Sequence, residues 1–417
     1  MTTDADVIVI GAGLAGLAAA ATARQTGCRV LVLESRGTGG RARTTDRDGF
    51  TLNMGGHALY RHGEGAKVLA SLGIAPDGAP PPLDRYRALA AGRLHALPTG
   101  PASMVRTGAL GARSKAQLVR LLGLLPRLRP DELGRISVAG WLRHHHLRPD
   151  AESVVRALLR LSTYTDDVDR FSADAAVAQL QLANTGGVLY LHGGWSALTD
   201  ALSGSLDIRT GVEVHGVDRN VGGVEVRTAD GSVAAPRVVV ATGTPGAVHR
   251  LLPVDPAWGE LGPPVTAACL DLGVRRVPTP GYVLSLDDPL YVNVQSPPAR
   301  QAPEGHAVVA AVRYGSRSAA LDRPQLEDLV TTAGVDHRDV AVRRFMAHMT
   351  VCGALPLASA GGLAGRPGVA DTGVPGVTIA GDWVGPVGLL ADAALASGRA
   401  AGLVAAQDHP DPSRMVA

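Results

Sequence analysis

Six residues near the N-terminus constrain the fold of this chain more than any others: Gly11-Ala12-Gly13-Leu14-Ala15-Gly16. They follow residues 6–10 (DVIVI), a β-branched run with the pattern of a parallel strand buried on both faces. Residues 14–26 are Ala-rich and helix-forming, and residues 29–33 (RVLVL) give a second buried strand ending at Glu34. Strand, Gly-rich turn, helix, strand and acidic residue therefore fall in register as one βαβ unit. Gly11 permits the tight turn, Gly13 lets backbone approach a pyrophosphate, and Gly16 lets the helix pack close to the strand. The helix N-terminus, with Leu14 and Ala15 in its first turn, offers N–H groups and partial positive charge to phosphates. Glu34 is placed to accept hydrogen bonds from a ribose, and its charge disfavours a 2′-phosphate.

The remaining strands of this type lie far along the chain. Residues 236–242 (PRVVVAT) repeat the buried pattern, with Ala241, Thr242 and Gly243 at their end, and residues 377–380 do so again before a Gly-rich turn and a small-residue helix over 391–406. Between these blocks, residues 83–183 read as long Leu/Arg helical stretches, notably 115–128 and 151–161. Residues 212–227 alternate as antiparallel strands around Val221-Gly222-Gly223, and residues 265–274, 290–295 and 307–313 read as further strands. The order predicts one α/β domain assembled from three blocks (1–60, 192–255 and 356–417), with a second, α+β domain (61–191 and 256–355) inserted twice.

Composition narrows the class. The chain has 417 residues, 46% of them apolar, 19% charged and only 3% aromatic, with a net charge of +2. That balance leaves no electrostatic footprint for nucleic acid. Cys28, Cys269 and Cys352 are too few and too far apart for a disulfide framework or a zinc site. The triplet His144-His145-His146 reads as a polar helix end, because adjacent helical residues point in different directions. No metal site is expected. Residues 1–6 show no signal peptide and no apolar run spans a bilayer, so a cytoplasmic location is expected. The basic amphipathic stretch 114–128 reads as a core helix with arginines outward, the alternative being peripheral membrane contact.

The residues after Glu34 carry a family resemblance. Ser35, then Gly39-Gly40-Arg41-Ala42-Arg43 and Leu52-Asn53-Met54-Gly55-Gly56-His57, resemble the second cofactor motif of the superfamily holding amine oxidases, protoporphyrinogen oxidases and phytoene desaturases. Leu191-His192-Gly193-Gly194-Trp195, the strand at Val212-Glu213-Val214, and Gly381-Asp382 with the helix after Leu389 and Leu390 extend the resemblance over the whole chain. It implies a Rossmann-like FAD-binding domain with an inserted substrate domain, and non-covalent FAD. In that superfamily the GGR arginine (here Arg41) lies against the pyrophosphate, the GG doublet passes the flavin, Val212–Val214 meet adenine, and Asp382 meets the ribityl chain. The last helix would point its N-terminus at the flavin edge, where reduced flavin carries negative charge. Asp392, early in that helix, reads as its N-terminal cap.

FAD alone does not name the reaction. Amine oxidases of the superfamily carry a lysine on a substrate-domain strand, an aromatic cage and, in some, a cysteine linked to the flavin. Residues 265–274 (VTAACLDLGV) contain no lysine, and Arg275 and Arg276 cannot replace one as a base. Leu389 and Leu390 stand where an aromatic would face the ring. Cys352 lies 29 residues before Gly381 (381 − 352) but in apolar company, which keeps a thiol inert. The motifs look most like phytoene-dehydrogenase-like proteins, implying an enzyme that moves a hydride from a lipophilic or polycyclic small molecule (isoprenoid, polyketide or tetrapyrrole-like) to flavin N5, with O₂ or another acceptor reoxidising it. The alternative is oxidation of an amine or amino acid C–N bond. His57 is the candidate for catalysis, and Tyr60, His192, Trp195, Tyr291, Asn293 and Trp383 are candidates to line the substrate cavity.

Overall fold

The computed structural model describes residues 5–407, so Met1 to Asp4, read above as part of a leaderless start, lie outside the described residues. The strands at Val7–Ile10 and Val30–Glu34 flank the first helix, Leu14–Gln25. They lie in a five-stranded parallel sheet ordered Asp207–Thr210, Val30–Glu34, Val7–Ile10, Arg237–Val240, Val377–Ile379. The chain leaves the central strand toward one side and later fills the other, so the carboxyl end of Val7–Ile10 is a topological switch point, where open α/β sheets bind ligands.

Both faces of this sheet are covered, as the continuous apolar runs require. Val7 and Val9 pack against Leu17, Ala18 and Leu395 of the first and last helices, while Ile8 and Ile10 pack with Val217, Val224, Val226 and Trp383 on the opposite face. Val217, Val224 and Val226 belong to a three-stranded antiparallel sheet (Val214–Asn220, Gly223–Thr228, Gly231–Ala235). The first helix and the last (Leu390–Ala405) nearly touch backbone to backbone. A Cβ on Gly398 would lie 2.3 Å from the Ala15 carbonyl oxygen, and one on Gly402 would lie 2.5 Å from that of Ala19. The Ala and Gly content of the two helices makes this spacing possible.

A second sheet of seven strands is ordered Val340–Cys352, Val265–Val274, Ala307–Tyr314, Leu290–Ser296, Tyr282–Ser285, Tyr86–Ala90, Arg93–Ala96. Its last two strands correct the helical reading of residues 83–96. Tyr86–Ala90 runs parallel to Tyr282–Ser285 in the register Tyr86↔Tyr282, and Tyr86 and Ala88 turn into the core while Arg87 and Leu89 are only half-buried. Five residues of mixed propensity were too short a run to show that period. Helices do occupy the rest of the segment, at Pro101–Arg106, Ala112–Leu124, Val138–His144, Pro149–Thr163 and Ala173–Gly186, and they pack on the second sheet in one large core. Val212 and Glu213 precede the Val214–Asn220 strand rather than belonging to it.

Candidate active site

At the switch point the turn is built as its glycines demand. Gly11 has φ +104°, and a Cβ there would sit 2.5 Å from the Ala241 carbonyl oxygen; one on Gly16 would sit 1.9 Å from that of Gly11. Gly13 differs, because a Cβ there would meet nothing within 4 Å. It faces a cavity of about 730 Å³ that runs from the Gly-rich turn to the second sheet. Among the described residues the Ala15 and Gly16 N–H groups meet no acceptor, as expected of a helix start. The same holds for Leu390 and Ala391 at the head of the last helix, which lines the cavity too. Leu390 adopts φ +54° there, a strained conformation for a leucine.

Glu34 stands on the cavity wall with both carboxylate oxygens oriented, Oε2 accepting from the Ala12 N–H and Oε1 from the Arg36 N–H, each at 2.8 Å. Farther in, the Arg41 guanidinium donates to Asp382 Oδ2 (2.7 Å) and to the Val351 carbonyl (2.9 Å). Asp382, 3% exposed, also accepts from the Gly353 N–H at 3.0 Å. Thr242 Oγ1, on the same wall, is buried and has no partner. Two unpaired helix N-termini, an oriented carboxylate and an orphaned hydroxyl stand around one elongated cavity that the Asp382-paired Arg41 also lines, and these are the polar groups a dinucleotide needs. FAD fits these residues.

The inner end is closed by the segment Asn53–Ala58, held from several directions. Asn53 Oδ1 accepts the Trp195 N–H at 2.9 Å, and its carbonyl accepts from Arg344. Arg344 in turn pairs with Asp271 Oδ2 at 2.7 Å and reaches Thr45 Oγ1 at 3.2 Å. Burial pushes the Asp271 carboxyl up to about 6 despite the pull of Arg344. The Tyr164 hydroxyl donates to the Gly56 carbonyl, from a backbone held at φ +61°, and its ring meets Tyr314 edge to face at 5.4 Å. His57 Nδ1 lies 3.1 Å from the Gly55 carbonyl and its ring packs edge to face on Trp195 at 5.1 Å. Burial above all, with the nearby Arg41 and Arg344 charges, pushes the His57 pKa down, against the opposing pull of the Gly55 carbonyl.

Of the sequence candidates, Gly11, Gly13, Leu14, Ala15, Glu34, Ser35, Gly39, Gly40, Arg41, Ala42, Met54, Gly56, His57, Val212, Glu213, Val214, Ala241, Thr242, Gly243, Trp195, Gly381, Asp382 and Leu390 line this cavity. Gly16 and Gly55 stand just behind its wall, Gly55 over Cys269 and Met349. Leu389 turns away into the core of the second sheet. Five of the six substrate-lining candidates are placed elsewhere. His192 Nδ1 accepts the Arg300 N–H at 3.1 Å, outside the cavity. Trp383 is fully buried on the far face of the parallel sheet, 5.0 Å from Trp258, because the chain re-enters the core after Asp382. Tyr60 donates to the Ser162 carbonyl, and Tyr291 hydrogen-bonds Tyr86 at 3.1 Å inside a cluster of phenols. Asn293 is buried behind Gly56, accepting from Gln295 at 2.6 Å. Tyr164, Met349 and Thr350 line the inner end but were not singled out, since nothing local marks a helix C-cap or a long half-buried strand as site-forming.

Asp392 corrects another expectation. It sits in the first turn of its own helix, but its carboxylate accepts the Gly65 N–H at 2.8 Å, capping the neighbouring helix Glu64–Ser71. Gly63 and Gly65 leave room for it, since a Cβ on either would come within 2.7 Å of its oxygens. Burial pushes the Asp392 pKa up to about 6, with Glu64 adding to the rise and the Gly65 N–H opposing it; its Oδ2 has no partner. A folded-state pKa above the unfolded value means the folded protein holds this proton more tightly, so the group stabilises less as pH rises from about 4 to 6. Asp392→Asn keeps the acceptor and removes the charge. The variant should be more stable than the parent at pH 7 by about 1–3 kcal/mol, with the gain shrinking toward pH 4; denaturant melts at the two pH values measure it, and an equal difference at both would refute the assignment.

Cys352 is buried, its Sγ within 3.3 Å of the Ala354 carbonyl, and burial pushes its pKa up to about 12. Among the described residues no group of His, Cys, Asp and Glu is arranged to hold a metal ion, and no helix is long and apolar enough to cross a membrane.

Residues 14–277 match the sequence profile of flavin containing amine oxidoreductases. The Mycobacterium tuberculosis protein named "Putative flavin-containing monoamine oxidase" is 26% identical over 336 residues, 72% of this chain and 72% of that protein. Mitochondrial protoporphyrinogen oxidase of Nicotiana tabacum is 30% identical over 144 residues, 33% of this chain and 29% of that protein. Among solved structures, cyclohexylamine oxidase from Brevibacterium oxydans superposes with a TM-score of 0.72 at 17% identity, covering 97% of this chain and 99% of that one. A putrescine oxidase variant gives 0.72 at 17%, over 96% and 98%. Likeness at that identity shows the fold.

Proposed function

The chain belongs to the family of flavin containing amine oxidoreductases and is a FAD-dependent oxidoreductase, and from that premise we propose that it dehydrogenates a carbon–carbon bond of an uncharged lipophilic or polycyclic small molecule. When bound, FAD supplies the two-electron acceptor.

The observation that carries the reading is the charge at the inner end. The wall there is Met54, Ala58, Tyr164, Trp195, Met349 and Thr350, and the charged groups bearing on His57 are the cations Arg41 and Arg344. Asp382, the carboxylate within reach, is already paired to Arg41. Arg344 is likewise paired, to Asp271, so the inner end offers no unpaired carboxylate to hold an ammonium substrate or the cation formed when an amine is oxidised, and its apolar wall accepts a neutral hydrocarbon skeleton. No lysine stands on this wall. His57 is tied to the Gly55 carbonyl and Tyr164 to that of Gly56, with the tyrosine pKa pushed up by burial. We assign both to shaping and drying the cavity rather than to proton transfer.

Within the same reading, the Ala15–Gly16 helix start, Glu34 and Arg41 hold the dinucleotide end of the cofactor, and Asp382 with the head of the last helix holds its inner end. Residues 1–60, 192–255 and 356–417 act as the cofactor domain and the remainder as the substrate domain. The cofactor is held without a covalent bond, because the Cys352 thiol is kept protonated. One observation favours the amine reading instead: Tyr164 and Trp195 both line the inner end and could flank an amine.

The test is anaerobic reduction of the yellow holoprotein by two panels, one of saturated or partly reduced isoprenoid and polycyclic compounds and one of primary and secondary amines. Bleaching by the first panel alone is expected; bleaching by amines alone would overturn the reading. Admitting air afterwards distinguishes an oxidase, whose colour returns at once, from a dehydrogenase needing another acceptor. Acid precipitation of the same sample should leave the yellow colour in the supernatant.

A further inference from the structure

Between Asp84 and Asp131 the chain carries nine Arg and Lys residues and no Asp or Glu, although its totals are nearly balanced at 40 basic and 38 acidic. This stretch contains the helix Ala112–Leu124, which turns Ser114, Leu118 and Leu121 inward. The opposite side is open to solvent. Arg113, Arg120 and, just past the helix, Arg127 are all exposed and fall seven residues apart, so they form one row along that side. Among the described residues none of the three has a carboxylate partner; Arg127 donates to the Gly123 carbonyl.

Beside the row lies aliphatic surface. Val119 is 57% exposed and Leu124 38%. Val105, 78% exposed, is carried by the short helix Pro101–Arg106 and brought alongside by a 2.9 Å hydrogen bond from Lys115 Nζ to its carbonyl. Ala112, Ala116 and Gly123 fill the centre of the face, all exposed, so it is flat and offers neither pocket nor aromatic anchor.

We propose that this face docks peripherally on an anionic lipid surface, with the aliphatic side chains in the headgroup boundary and the arginines on the lipid phosphates. A basic, apolar helix face with no acidic residue is the arrangement that lies in the plane of a membrane interface, and guanidinium groups match phosphate geometry. An acidic protein partner fits the charge but not the shape, because protein interfaces are held by aromatic or arginine anchors seated in pockets. The inference does not depend on which substrate the enzyme takes.

Co-sedimentation of the holoprotein with vesicles tests it, using phosphatidylglycerol mixed into phosphatidylcholine against phosphatidylcholine alone. Binding should rise with the anionic fraction and fall with added salt. Arg113→Ser/Arg120→Ser/Arg127→Ser should lower the partition coefficient about fivefold per arginine, roughly a hundredfold together. Val105→Ser/Val119→Ser should lower it as well while leaving the salt dependence unchanged. All five positions are exposed, so flavin content and melting midpoint serve as controls for folding. A wild-type protein that stays in the supernatant at low salt, or arginine variants that sediment as well as it does, overturns the proposal. Retention on immobilised polyglutamate without vesicle binding also overturns it, and assigns the face to an acidic protein.

Discussion

Gly16→Ala should yield a protein without bound flavin and with stability reduced by about 3–5 kcal/mol. The added methyl would lie 1.9 Å from the Gly11 carbonyl oxygen, and neither neighbour can give way. Gly11 is already so close to Ala241 that a Cβ of its own would fall 2.5 Å from that carbonyl. On its other side the first helix is pressed against the last, where Gly398 and Gly402 leave no slack over Ala15 and Ala19. Gly13→Ala is the informative contrast. Its φ of −81° suits any residue and its Cβ meets nothing within 4 Å, so the fold should stand while the methyl enters the cavity and FAD affinity falls. Flavin content after purification and a thermal melt of each apoprotein separate the two. A yellow Gly16→Ala with an unaltered melt would sink the account.

The second large effect is expected at the Arg344–Asp271 pair. Arg344→Met strands a carboxylate that is 3% exposed and should cost about 3 kcal/mol at pH 8. The cost has a definite pH dependence. Asp271 is already raised to about 6 with its arginine present, and losing that cation raises it further. Below this value the acid is neutral and can stay buried at little penalty, so the variant should recover toward the parent as pH falls from 8 to 5. Asp271→Leu/Arg344→Met should be milder than Arg344→Met alone, because no charge is left behind. Urea melts of the four proteins of the cycle at both pH values give the coupling directly; strictly additive losses, or no loss at pH 8, would refute it.

Much of the part built on the five-stranded parallel sheet was legible because its signals are local. A four-residue buried strand, the glycine spacing and an acidic residue closing the next strand are all set within about 30 residues, the span of one βαβ unit. The part built on the seven-stranded sheet was harder. Tyr86–Ala90 takes its identity from Tyr282–Ser285, 196 positions away (282 − 86), and no helical or strand period in five residues reports that pairing. The same distance hid the partners of charged residues. Arg41 looked like a phosphate ligand and Asp382 like a ribityl ligand, and the fold joins them to each other across 341 positions. Asp392 had the sequence position of a cap, and its helix packing decided which helix it caps. Trp383 and His192 were placed near the cavity by their neighbours in sequence, but in a tight turn or a strand end the next side chain points the other way.

The order of the parallel sheet has a consequence for how the enzyme is made. Its strands are drawn from positions 7–10, 30–34, 207–210, 237–240 and 377–379, and the cavity wall includes Gly381, Asp382 and Leu390. A ribosome has to add some 370 residues (377 − 7) after the first of these before the last can join it. The growing chain therefore carries an incomplete sheet with an open edge beside Arg237–Val240 while residues 241–376 are made, and the cofactor can lock it only afterwards. Flavin supply should then govern yield: in riboflavin-starved cells the finished apoprotein lacks the ligand that shifts its folding equilibrium by mass action, and it is the pool most exposed to proteases.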